Sequence, residues 1–339
     1  MKKFTSILVF VILAGMVMCL AAPCFGQMRG RETRMMGRYA PFNYDLISKY
    51  IPEEISIKTI SNTWYSVSGI YVRLMSMGIP ELMGIHNTME LKSVHTHKNI
   101  YIYATWPDYT KSVDKKTWAK QKDGSWKQST DDEDRISFIW EIGDSMIGFA
   151  QGRGCMALCH PDPKDPYKGI MSTRYIGGLA DLWHWKAART NPAGFADDQY
   201  LDQEKHKNDP GESPYKDNKK KDDALPAFMF ADGTGAYPFL FASEAKPFDD
   251  SRFKSGDKLP AFVLRNPTGD RADIEAYGIY KDAFWTVIFK RPLNTGHNTD
   301  VQFVPGNEYN FSVAIFDNAG GQYHLKTQLL RIFLEKVAR

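Results

Sequence analysis

Apolar and polar positions alternate with period two at many places along the chain. The clearest runs are 89–94, 100–104, 136–142, 272–280, 284–289, 309–316 and 329–334, each bounded by Gly, Pro, Asn or Asp. Side chains of a strand point to opposite faces in turn, so each run reads as a strand with one buried face. Many short strands with turn signals between them predict a mainly β fold, an antiparallel β-sandwich with short helices and long loops. Short helices are predicted over 113–120 and 181–189, and no internal repeat is present.

Three segments depart from this pattern. Residues 1–26 open with Lys2 and Lys3, run apolar from Phe4 to about Ala22, and reach small residues around Cys24 and Gly26. That is the pattern of a secretory signal peptide, so the chain is expected in the periplasm or an equivalent compartment outside the cytoplasm. No later run is apolar enough over about 20 residues to predict a membrane span in the mature chain. Residues 27–60 read as an N-terminal arm with Arg and Met in its first part. Residues 196–225, rich in Asp, Lys, Asn, Pro and Gly, read as a solvated loop.

Charge and cysteine content narrow the classes further. The signal peptide takes two lysines and no acid from 43 basic and 40 acidic residues, leaving a mature charge near +1 and no argument for nucleic acid. It also removes Cys19 and Cys24, so only Cys155 and Cys159 remain. Two cysteines four apart in a chain of this length are not a disulfide scaffold.

The stretch Gly154-Cys155-Met156-Ala157-Leu158-Cys159-His160 carries the sharpest chemistry, within a domain predicted to span 61–339. In covalent haem attachment two thiols add across the porphyrin vinyl groups, and a histidine directly after the second cysteine binds iron. The spacer here is three residues where two are usual. A Cys155–Cys159 disulfide is a rival reading. So is a zinc site, but it lacks a second close-spaced ligand pair. Export favours haem, because attachment takes place outside the cytoplasm on an unfolded chain. The motif therefore predicts haem c on Cys155 and Cys159, with His160 on its iron.

A second axial ligand would come from Met, His or Lys. Met171 lies on a glycine-flanked loop, His184 stands between Trp183 and Trp185, and His324 and Lys326 precede the last strand. Each also has an ordinary role open to it, as core filler, hydrogen-bonded core histidine or turn residue. The run Asp131-Asp132-Glu133-Asp134 reads as a solvated turn before a strand. No nucleophile elbow or metal-hydrolase spacing appears, so a non-catalytic role is expected.

Several stretches together resemble the haem-binding domain related to the gamma subunit of ethylbenzene dehydrogenase, of the type II dimethyl sulfoxide reductase group. They are residues 103–110, 132–140, the cysteine motif, 181–189, 271–276, 291–293 and 311–318, within about 85–335. The resemblance implies an immunoglobulin-like sandwich with a haem at one end, partnered by iron-sulfur and molybdenum subunits and serving a soluble electron carrier. It also implies a haem b held by a methionine and a lysine, which by position are Met171 and Lys326. Keeping both that pair and the cysteine motif is similar to the gamma subunits of nitrite oxidoreductase, a molybdenum complex. Two arrangements stay open: haem c and haem b together, or one haem with His160 opposite Met171, His184, His324 or Lys326. A free-standing cytochrome is one rival. A haem-free binding module using Trp106, Trp118, Trp183 and Trp185 is the other.

Overall fold

A computed structural model describes residues 45–76, 88–162, 165–221, 224–231, 238–320 and 323–337. The signal peptide and the first part of the arm lie outside these residues. The main sheet contains β1 (Leu46–Tyr50), β2 (Thr88–His95), β3 (Asn99–Pro107), β4 (Arg135–Glu141), β5 (Ala180–Lys186), β6 (Asp197–Leu201), β7 (His206–Asn208), β8 (Glu275–Lys281), β9 (Phe284–Pro292), β10 (Glu308–Phe316) and β11 (Leu330–Leu334). Their hydrogen-bonded order is β7-β6-β5-β4-β10-β11-β1-β2-β3-β9-β8.

Alternation decides which side of each strand meets the core. Ile136, Phe138 and Trp140 of β4, Trp183 and Trp185 of β5, and Phe311, Val313 and Ile315 of β10 share one apolar cluster with Ile100, Ile102, Val287 and Phe289 of β3 and β9. Phe138 packs edge-on against Phe289 with centroids 5.2 Å apart, and Trp185 against Trp285 at 5.0 Å. The continuous sheet thus folds over on itself as a β-sandwich, with β1 and β11 at the turn. A smaller cluster around Trp118, Trp126, Leu240 and Leu259 is built on short strands beside it.

The sequence-predicted strands appear with shifts of a few residues at their ends; in the fourth, 269–272 are a short 3-10 turn and the strand begins at Glu275. Four expectations change. The arm supplies β1, which is parallel to both β11 and β2 in an otherwise antiparallel path. No helix forms over 181–189, because β5 is covered on both faces and so shows no period-two signal. Around 113–120 the chain is irregular and ends in the strand Trp118–Lys120. The polar segment 196–225 is largely structured: β6 is buried, with Asp197 neutralised by Lys186 and Arg271.

Buried acids account for another difference. Of the run at 131–134 only Asp131 is exposed. Glu133 pairs with Arg189 at 2.5 Å, and Asp134 accepts from the Trp285 indole at 2.8 Å and the Ser112 amide at 2.7 Å. These carboxylates join loops to the sandwich. Trp106, Trp183 and Trp185 are fully buried and Trp118 nearly so, so these four form no exposed aromatic face.

Gly278 shows how tightly the core is closed. A Cβ there would stand 2.3 Å from Cζ2 of Trp185, whose indole is held by Asn191 at 3.1 Å. Gly278→Ala is expected to cost about 1–3 kcal/mol by overpacking. A lower urea midpoint at unchanged slope would show it.

Candidate functional site

Residues facing each other across paired strands lie side by side on one face. On the outer face of the sheet one such row runs Asp197–His184–Ser137–Ala314–Lys326, from β6 through β5, β4 and β10 to the two-residue strand Leu325–Lys326. The next row holds Leu182, Ile139 and Ser312. Over this face lie the turn Gly154–Ala157 and the hairpin formed by Cys159–Asp162 and Asp165–Met171.

The turn places Cys155 directly on the sheet. Its amide donates to Oγ of Ser312 at 3.2 Å, and Gly154 makes the approach possible. Gly154 has φ +51°, and a Cβ there would stand 2.4 Å from the same Ser312 Oγ. Cys155 packs in an apolar cluster with Phe149, Leu158, Leu182 and Leu201, and Met171 lies against it. In the hairpin Met171 is the register partner of Cys159, and Ile170 that of His160. The backbone of His160 is thereby fixed next to Met171; its side chain lies outside the described ones.

Cys155 and Cys159 are free thiols, so the disulfide reading is not the one observed. Burial pushes the Cys155 thiol up to about 12 and raises that of Cys159, while the Lys326 charge pulls both the other way. Lys326 is 2% exposed, and among the described residues its Nζ has no hydrogen-bond partner. A buried polar group without a partner is costly, which marks this nitrogen as a site for one. Two thiols, a thioether and an unpartnered amine thus converge around one apolar patch.

The other two candidates stand apart. His184 lies in the same row as Lys326 with two strands between them. Its Nδ1 is 3.3 Å from Gln199 Oε1, and its ring stacks on Phe316 at 5.9 Å. Burial first, then the charges of Lys186, Arg135 and Arg189, hold it well below the usual histidine range, so it is neutral. His324 touches the other side of the picture through Phe316, at 4.9 Å.

Sequence reasoning picked out the cysteines and, through resemblance, Met171 and Lys326. It missed Ser312, an unremarked serine in a strand. The glycine before the first cysteine was the available hint, since a close backbone approach needs something to approach.

A donor set of this kind suits haem: sulfurs for thioether links, and nitrogen and sulfur donors of the types that bind haem iron. A cleft of about 570 Å³ opens beside the turn, lined by Ala150, Gly152, Asn310, Gln328, Leu329 and Arg331 among others. None of Cys155, Cys159, Met171 and Lys326 lines it. Among the described residues no helix is long and apolar enough to cross a membrane.

Residues 62–327 match the family model described as ethylbenzene dehydrogenase. Cytochrome c-552 of Stutzerimonas stutzeri is 24% identical over 240 residues, which is 69% of this chain and 57% of that protein. The match therefore spans little more than half of the relative's length. Among solved structures, a family 9 carbohydrate-binding module from Caldicellulosiruptor kristjanssonii in complex with glucose aligns at TM-score 0.38 and 10% identity, over 86% of this chain and 96% of that one. A putative carbohydrate-binding protein from Bacteroides uniformis aligns at TM-score 0.39 and 8% identity, over 86% and 99%.

Proposed function

Because this chain belongs to the ethylbenzene dehydrogenase family, we propose that it is an exported electron-transfer subunit whose haem is anchored by Cys155 and Cys159. The observation that carries this reading is Lys326, a buried amine without a hydrogen-bond partner beside two free thiols and Met171. The iron ligands come from His160, Met171 and Lys326, and haem held there supplies a one-electron carrier. Phe149, Leu158 and Leu182 keep water from its buried edge. Ser312 and Gly154 hold the first cysteine against the sheet. As free thiols the cysteines are protonated and poor nucleophiles, which argues against a catalytic or redox-sensing role. The partners are iron-sulfur and molybdenum subunits of an oxidoreductase such as nitrite oxidoreductase, with a soluble carrier at the other end of the path.

A pyridine haemochrome spectrum before and after acid-acetone extraction tests the anchoring. One haem per chain resisting extraction is expected. An equal amount of extractable haem in addition would mean that Met171 and Lys326 hold a haem b of their own. If all haem extracts, the covalent assignment fails. Lys326→Ala is expected to change the visible spectrum and midpoint potential of the purified protein, whereas His184→Ala leaves both as they are.

A further inference from the structure

A second group of side chains lies on the inner face and has no part in the haem site. Asp181 of β5, Asp198 of β6 and Asp300, in the loop between β9 and β10, each place one carboxylate oxygen within 4.8 Å of the others. All three are at most 2% exposed. Asp209, also buried, stands nearby with one oxygen on Thr299 and the other without a donor. The buried cation among them is Arg291. It pairs with Asp181 Oδ2 and lies 3.6 Å from Asp300 Oδ2. His297 approaches from the rim, with Nδ1 at 2.9 Å from Asp273 and 3.7 Å from Asp300.

What marks this as more than an acidic cluster is the missing donors. Neither oxygen of Asp300 accepts a hydrogen bond, nor does Oδ1 of Asp181 or Oδ2 of Asp198. Buried carboxylate oxygens in folded proteins nearly always have partners. Four buried carboxylates face one guanidinium, an excess of negative charge that a low-dielectric interior tolerates only with neutralisation.

We propose that Asp181, Asp198 and Asp300 bind a divalent calcium ion. The donors are hard oxygens, which select calcium or magnesium over softer metals. Calcium accepts flexible shells of protein oxygens at about 2.3–2.6 Å. Magnesium demands a near-ideal octahedron at about 2.1 Å and usually keeps several waters, which suits a fully buried cluster less. The ion fastens β5, β6 and the loop carrying Asp300 to one another.

Calcium analysis and thermal melting of the purified haem-loaded protein test the site, with calcium or EGTA present, at pH 8. One calcium per chain is expected, and EGTA lowers the melting temperature. Asp300→Asn is expected to weaken calcium binding by more than about tenfold. Identical melting with calcium and EGTA would overturn the proposal, as would an undiminished calcium effect in Asp300→Asn. A response to magnesium and not to calcium would overturn the choice of ion. If Asp300→Asn does not fold, the wild-type comparison still decides.

Discussion

Replacing Cys155 and Cys159 together with alanine is expected to remove all haem that stays with the chain through a denaturing gel. Each single variant keeps one thiol and should retain covalent haem at reduced yield. Any haem left in the double variant depends on axial ligands alone, and acid-acetone should extract all of it. Circular dichroism separates loss of attachment from loss of fold. The apolar cluster under Cys155 includes Phe149, Leu158 and Leu182, so the sandwich has packing besides the two thiols. Peroxidase staining of wild type and variant side by side is the check. Wild-type protein made with cytochrome c maturation functions that shows no stain would sink the assignment outright.

The largest stability effect from a single polar substitution is expected at Asp197. Its carboxylate, fully buried, receives Lys186 Nζ at 2.5 Å, the Arg271 guanidinium, and the Tyr215 hydroxyl at 3.2 Å. Asp197→Asn leaves two buried cations without their counter-charge. Breaking a buried pair in this way costs about 3–5 kcal/mol. Burial works against ionisation of Asp197, but Lys186 and Arg271 outweigh it and hold the carboxyl below its usual value. A lowered folded value gives stability that is present above the unfolded pKa, near 3.9, and lost as pH falls through the folded one. The gap between wild type and variant in urea unfolding should therefore be constant from pH 6 to 8 and close in acid. A gap that did not narrow at all as pH falls below about 3.9 would mean that the carboxylate's charge is not what stabilises β6.

These two regions differ in how well the sequence announced them. Strands with one partly exposed face, such as β2 and β3, were legible because burial and alternation coincide. β5 was not, because covering on both faces erases the alternation and leaves an aromatic run that suits a helix equally well. In β6 two acids masked a buried strand; the counter-ions of Asp197, Lys186 and Arg271, lie 11 and 74 residues away, and nothing local marks the pairing. The cysteine motif is a local pattern and was read directly. Met171 and Lys326 came from resemblance. The hairpin register that sets Met171 opposite Cys159, and the strand pairing that brings Lys326 beneath them, exist only in the folded chain. Asp181, Asp198 and Asp300 escaped notice for the same reason.

The floor under the cysteines has a bearing on the timing of maturation. Ser312, which receives the Cys155 amide, and Lys326 lie more than 150 residues downstream of the first cysteine. Strand β1, near the start of the described chain, pairs with β11, near its end. Under the proposed function, a chain exported N-terminus first would present both thiols for haem attachment before the segment that buries them has emerged. The topology then builds in a delay, during which the thiols remain reachable and have no floor beneath them.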